Sequence, residues 1–232
     1  KLDFENFNNS DSINLKANFD YEGPLALDLI NYQKTKDSKS NIILDFQRRK
    51  DIFTLNNLLF TDGDDLIQIK GVKFIKNQLL SFKEIKVLTS NNDFLIQNKN
   101  KILINGKKFD ATNLVKFLNT QGDESKIKNI SNNIEIDFKI IKVPMSETLQ
   151  NFKLIGEIKK GQFIKISSKG DFGGNNFLDI SMKKEKNTNR KFLEIYSDLT
   201  RPLLTEFSFF KGLSGGTLLF TSIIEDKTSN SK

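Results

Sequence analysis

The chain has 232 residues, of which 37% are hydrophobic and 28% are charged, so it contains enough apolar material to fold around a core. It contains no His and no Cys, which excludes Ser-His-Asp triads, Cys nucleophiles, His- or Cys-ligated zinc and disulfides. The net charge is +7, but nearly all the cations are Lys rather than Arg. Proteins that bind nucleic-acid phosphates and base edges favour the Arg guanidinium. We therefore expect no nucleic-acid partner.

The N-terminal part of the chain, residues 1–108, is predicted to be rich in β-strands. In the clearest run, from Ile13 to Tyr21, every second residue is apolar and the intervening residues are polar, which is typical of a strand with one buried face. Turn signals such as Asp62-Gly63 and Asn105-Gly106 separate the runs. We expect at least ten strands in the whole chain, joined as an antiparallel meander.

Residues 109–225 continue this pattern and contain two predicted amphipathic helices. In residues 110–119, Asp110 can cap a helix whose apolar residues share one stripe. A second helix is predicted within residues 198–211, with Gly212 at its end. Its apolar face consists of Leu199, Leu203, Leu204, Phe207 and Phe210. A last strand is expected near residues 217–224, and residues 226–232 are predicted to be a frayed tail.

So many half-apolar strands with only two short helices require something else to cover their apolar faces. Either two sheets close on each other as a sandwich, or one curved sheet forms a trough with a partly open apolar lining. The alternation by itself favours the closed sandwich as the default. If the sheet is a trough, its lining includes the apolar positions of two regular strands: Ile134, Ile136, Phe138, Ile140, Leu178, Ile180 and Met182.

Few residues of the chain suggest catalysis or metal binding. Ser-x-x-Lys spacings such as Ser181/Lys184 lack any supporting motif, and chance spacings of this kind are common in a lysine-rich chain. Asp62, Asp64 and Asp65 lack the calcium-loop pattern with its terminal Glu. We therefore predict no catalytic residues, no metal site, no cofactor and no enzymatic activity. The absence of Met at position 1 leads us to expect a segment of a longer protein.

The stretch from Leu193 to Phe220 reads LEIYSDLTRPLLTEFSFFKGLSGGTLLF. A strand is followed by Asp198, a Leu203-Leu204 pair, Phe207, Phe210 and the glycines Gly215 and Gly216. In this order and spacing the stretch resembles the AsmA-like envelope proteins, and among them the YhdP-like members. The upstream segment GKKFDATNLVKFL, residues 106–118, is similar to a shorter family segment, so the resemblance covers about residues 102–224.

The resemblance implies a periplasmic protein of the Gram-negative cell envelope, held in the inner membrane by an anchor outside this segment. It also implies an apolar groove that binds or conducts phospholipid acyl chains between the inner and outer membranes, as part of outer membrane biogenesis. This shifts our expectation from sandwich to trough. The family has no catalytic residues that could be transferred to this chain. The alternative function is that of a closed β-sandwich module for envelope assembly or protein interaction.

Overall fold

A computed structural model describes residues 2–7, 12–114, 127–144, 147–185, 188, 190–204 and 215–225. The first strands are β1 (Leu2–Phe7), β2 (Ser12–Tyr21), β3 (Leu25–Leu27), β4 (Tyr32–Lys34), β5 (Ser40–Arg49), β6 (Ile52–Asp62), β7 (Asp65–Ile75), β8 (Gln78–Ser81) and β9 (Glu84–Leu88). They are followed by β10 (Asp93–Asn98), β11 (Ile102–Asp110), β12 (Asn132–Lys142), β13 (Thr148–Lys159), β14 (Gln162–Gly173), β15 (Asn176–Lys184), β16 (Arg190–Ser197) and β17 (Leu218–Glu225).

Fourteen of these strands form one continuous path in a single curved sheet that does not close on itself. Strand β8 pairs with β7 beside this path, and β3 and β4 form a separate hairpin. The sequence prediction of a mainly β chain with at least ten strands in a curved sheet is confirmed. The sandwich alternative is wrong, because the strands hydrogen-bond into one large sheet rather than into two facing sheets of similar size.

The path departs from a meander at one place, where β11 and β12 pair in parallel. Ile102 lies opposite Ile134, and Gly106 lies opposite Phe138. All other neighbouring strands in the path are antiparallel. Parallel neighbours require a crossover connection, and this one falls between Asp110 and Asn132, a stretch of which residues 115–126 lie outside the described part. This junction lies at the predicted boundary near residue 108, and the two predicted segments share one sheet.

The prediction of two amphipathic helices is not confirmed. Among the described residues α-helical backbone occurs in α1, Arg201–Leu204, and at the single residue Leu114. Asp110 ends strand β11 instead of beginning a helix, and a turn follows it. The parallel pairing explains the difference, since it continues as far as Asp110 opposite Lys142 and so keeps this residue in the sheet. Residues 115–119 and 205–211 of the predicted helices lie outside the described residues.

The hairpin of β3 and β4, with a 3₁₀ turn at Asp28–Ile30, covers one end of the apolar face. Ile30 and Tyr32 are buried there in one cluster with Phe60, Ile67 and Val87. The Tyr32 ring meets the Phe60 ring edge-on, with 6.0 Å between their centroids. Such edge-on aromatic pairs add to the stability gained from burying their area.

The alternation of β12 shifts by one residue after Phe138. Phe138 is 4% exposed, Ile140 is 46% exposed and Ile141 is 8% exposed, so Ile141 continues the core face instead of Ile140. The partner strand β13 shifts at the same level, because Asn151 adopts a φ of 50° between the buried residues Leu149 and Phe152. Strict alternation therefore predicts the wrong orientation for Ile140, since an irregularity of this kind inverts the faces of the strand beyond it.

This shift predicts different effects for two neighbouring conservative substitutions. We expect Ile141→Val to lower the free energy of unfolding by about 1 kcal/mol, because it removes a buried methyl group. Ile140→Val should change it by less than about 0.5 kcal/mol. Urea denaturation of both variants tests the assignment, and a larger loss for Ile140→Val would contradict the shifted register.

Candidate apolar groove

One row of apolar residues crosses the entire sheet, with one residue from each of the fourteen strands. Each member of this central row lies directly opposite the next in the pairing register. Ser168 is its one polar member. At the usual spacing between strands the row is about 60 Å long. The central row consists of Leu2, Ala17, Leu44, Leu58, Ile69, Ile85, Ile96, Ile104, Ile136, Leu154, Ser168, Ile180, Ile195 and Phe220.

Most of the central row is partly accessible to solvent. Ala17, Leu154 and Ser168 are buried, nine members are partly buried, and Leu2 and Phe220 are largely exposed. The positions on either side of the row are more deeply buried, as Phe94 and Phe138 are on one side and Ile134 and Met182 on the other. A strip of accessible apolar side chains between two buried margins has the form of a groove.

The predicted groove residues share this face, with the exception of Ile140. Ile136 and Ile180 belong to the central row and are partly exposed. Ile134, Phe138, Leu178 and Met182 are 4–7% exposed and form the buried margins. Alternation identified the correct face in both strands, but it did not distinguish accessible positions from buried ones, which depend on what packs over each residue.

The predicted helix face and glycines lie near one end of the strands. Leu203 packs against the core cluster, and Leu199 and Leu204 are partly buried. Gly216 has a φ of 99°, a conformation that favours glycine. Its carbonyl oxygen accepts a 2.7 Å hydrogen bond from the Thr200 hydroxyl. Gly215 is exposed, and Phe207 and Phe210 lie outside the described residues.

The opposite face of the sheet is largely polar. On β12 and β13 this face presents charged residues such as Asp137 and Lys153, which form an ion pair with 3.6 Å between carboxylate oxygen and amine nitrogen. Exposed apolar residues also occur there, including Ile155 at 63%. The contrast between the two faces follows from alternation, because a residue and its sequence neighbour point to opposite sides of a strand.

The two ends of the strands form two rims along the sheet that differ in charge. The rim that contains the β5–β6 and β13–β14 turns, here called the basic rim, carries a series of exposed cations. Some carboxylates lie near it, but Glu84 and Glu225 are paired with Lys70 and Arg190. The exposed cations of the basic rim include Arg48, Arg49, Lys50, Lys76, Lys83, Lys99, Lys128, Lys159, Lys160, Lys183, Lys184 and Arg190.

The other rim, here called the acidic rim, contains the β6–β7 turn with Asp62, Asp64 and Asp65. Burial raises the pKa of Asp65, and the charges of Asp62 and Asp64 add to the increase. Some cations at this rim pair with carboxylates, as Lys107 does with Asp93 at 3.4 Å, and Lys108 donates to the Ser90 carbonyl oxygen. A polar cleft of about 310 Å³ lies beside Asp65, lined also by Asn31, Tyr32, Gln33, Thr89, Ser90 and Asn91.

A buried polar network stabilises the acidic rim at the parallel junction. The Asp110 side chain is 1% exposed and lies 3.3 Å from the Lys142 amine. Its carboxylate accepts hydrogen bonds from the Asn31 amide and from the Thr112 hydroxyl and backbone N–H. Burial by itself would raise the pKa of Asp110, but the hydrogen bonds from Thr112 and Asn31, with the charge of Lys142, lower it overall. The network ties the β3–β4 hairpin to the strands of the junction.

Within the ranges that the structure describes, no group of three or more acidic side chains is arranged to hold a metal ion. Ser181 and Lys184 lie three positions apart on β15, so their side chains emerge on opposite faces. The other Ser-x-x-Lys pairs include residues outside the described part. No helix among the described residues is long and apolar enough to cross a bilayer.

Comparison of the chain with family models, curated proteins and solved structures gives no match. The assignment to the AsmA-like family thus stays a prediction. The functional proposal rests on the geometry of the apolar face.

Proposed function

We propose that this chain is a segment of a periplasmic AsmA-like protein that binds or conducts phospholipid along its apolar groove, between the inner and outer membranes. An anchor elsewhere in the protein would hold it in the inner membrane. The single observation that most supports the proposal is the central row, which places an apolar residue on thirteen of the fourteen strands, most of them partly or largely accessible. We propose a passive role, without catalytic residues.

The energetics of acyl chains are consistent with this role. Each CH₂ group removed from water contributes about 0.8 kcal/mol, so a continuous apolar strip holds a tail without precisely placed polar groups. Neighbouring positions in the row, such as Ile85, Ile96 and Ile104, are chemically alike and follow one another without a polar interruption. A tail can therefore move from one position to the next with little change in free energy, as conduction requires.

A charge placed in the central row should prevent lipid binding. We expect Ile180→Glu to reduce the uptake of a fluorescent phospholipid at least tenfold, because the tail would have to desolvate the carboxylate. The matched control is Ser181→Glu, one residue away on the polar face, which should bind lipid as the unmodified chain does. Uptake is measured by fluorescence titration, and mass spectrometry of the purified protein identifies lipid that it already contains.

Circular dichroism establishes that both variants remain folded, which we expect because Ile180 is only partly buried. Equal uptake by the two variants would contradict the groove. A folded chain that contains no lipid and takes up none would refute the proposed function.

A second function, protein interaction in envelope assembly, has support in the last strand of the path. Strand β17 exposes apolar residues on both faces, with Leu219 at 66%, Ile223 at 56% and Phe220 at 46%. An edge strand with this composition favours the addition of another strand. Lipid uptake separates the two functions, since strand addition requires no lipid.

A further inference from the structure

The basic rim runs alongside the central row over most of the sheet. In β15, Ile180 belongs to the row and Lys184 to the rim, and both positions lie on the apolar face with Met182 between them. Four residues of strand span about 13 Å. The hydrocarbon layer of one bilayer leaflet is about 15 Å deep. A phospholipid whose tails lie on the row would therefore place its headgroup at the basic rim.

The surface between the central row and the basic rim is apolar, and cations lie at its outer edge. In β16, Leu193 lies between Ile195 of the row and Lys191, which faces Lys184 directly across the two strands. Lys191 is buried and lies 3.5 Å from the Gln162 side-chain oxygen, so Lys184 is the exposed member of the pair.

The same arrangement recurs at the far end of the rim. Phe53 and Phe74, opposite each other on β6 and β7, line a cleft of about 340 Å³ with Asn77. The Arg48 guanidinium lies 5.4 Å from the centre of the Phe53 ring. Both rings remain more than a third exposed. Apolar surface beside a cation suits a molecule with a tail and an anionic head.

A lipid fits this rim better than a nucleic acid does. Ile52 and Ile127 at the rim are 40% and 45% exposed, and aliphatic side chains among the cations favour a partner with hydrocarbon. Nucleic-acid sites place aromatic rings for base stacking along a cationic groove, whereas Phe53 and Phe74 lie at one end of this rim. The acidic rim would repel an anionic headgroup, so the two rims give the groove one preferred side for it.

We propose that the basic rim selects phospholipids with a net negative headgroup and guides that headgroup along the groove. The inference rests on the proposed function, because the tail must occupy the apolar face for the headgroup to reach the rim. Arg48, Lys128 and Lys184 contact the headgroup phosphate as it passes their part of the sheet.

The test compares tail-labelled phosphatidylglycerol with phosphatidylcholine of identical acyl chains, bound to the 232-residue chain. We expect about fivefold tighter binding of phosphatidylglycerol at low salt. A lysine beside an anionic lipid contributes about 1 kcal/mol, which corresponds to about a fivefold change in affinity. Raising the ionic strength to 0.5 M should remove the preference, because salt screens exposed charges.

A rim variant with Arg48, Lys128 and Lys184 changed to Gln should lose the preference while still binding phosphatidylcholine. The control variant changes Lys86, Lys139 and Lys169 to Gln. These residues are exposed within their strands, away from the strand ends that form the basic rim, and the change in net charge is the same. The control should keep the preference.

Equal binding of the two lipids by the unmodified chain, or the same loss in both variants, would overturn the inference and leave the proposed function intact. Binding of neither lipid would refute both. Competition by glycerol phosphate, which has no tail, would overturn the inference in favour of a site for free phosphate. Displacement of the lipid by a single-stranded oligonucleotide would overturn it in favour of nucleic-acid binding.

Discussion

Replacement of Phe138 by Ala should lower the free energy of unfolding by about 3–5 kcal/mol. Phe138 is 4% exposed, and its ring lies 5.9 Å from the Phe94 ring and 5.6 Å from the Phe109 ring, measured between centroids. It also lies over Gly106, where the backbone approaches too closely for any side chain on β11. Truncation would leave a cavity that these neighbours cannot fill. Urea denaturation measures the loss as a lower midpoint.

The control for this prediction is Phe177→Ala. Phe177 is 49% exposed on β15, so its removal should cost less than about 1 kcal/mol. Equal losses for the two substitutions would show that the ring cluster around Phe138 is not a rigid core. Phe138 is therefore unsuited to testing lipid binding, which the accessible Ile180 tests without unfolding the chain.

Replacement of Asp110 by Ala should lower the free energy of unfolding by about 2–4 kcal/mol. The substitution leaves the Asn31 amide and the Thr112 backbone N–H without their carboxylate acceptor at a site that is 1% exposed. Lys142 is 49% exposed, so water solvates its amine. The loss of its partner therefore adds little to the decrease in the free energy of unfolding. The control is Asp137→Ala. The Asp137 side chain pairs with Lys153 and is 53% exposed, so this substitution should lower the free energy of unfolding by less than about 0.5 kcal/mol.

The charge of Asp110 also predicts a pH dependence. Its pKa in the folded chain is lowered, so its contribution is fully present above the unfolded pKa of about 3.9 and is lost as pH falls through the folded pKa. The stability advantage of the unmodified chain over Asp110→Asn should therefore be constant above about pH 5 and shrink in more acidic solution. An advantage that grows on acidification would contradict this role. Urea denaturation between pH 3 and 7 measures it.

The local pattern predicted the strands well because alternation is a property of each strand alone. Ile134, Ile136 and Phe138 face the same side, and Leu178, Ile180 and Met182 do as well, as their spacing indicates. The pattern failed at Ile140, where the paired irregularity in β12 and β13 inverts the faces. Asn151 carries a weak local signal of it, because Asn tolerates positive φ better than most residues.

Asp110 shows a different limit. Its sequence context suggested a helix cap, and its carboxylate does accept a hydrogen bond from Thr112 two residues on. The same local contact serves the end of a strand, and only the pairing with β12 distinguishes the two. Asn31, which is 79 positions away in the chain, completes the site. No local pattern could have brought these residues together.

The amino-acid sequence by itself determined the class of the fold, the apolar and polar faces of its strands and the exclusion of His and Cys chemistry, because these depend on composition and on neighbours along the chain. Only the tertiary structure decided that the strands form one open sheet, that β11 and β12 run in parallel and that cations collect along one rim. Those features depend on the order and direction in which distant strands pair. The alternation of apolar and polar residues along one strand is the same in every such arrangement, so it does not distinguish them.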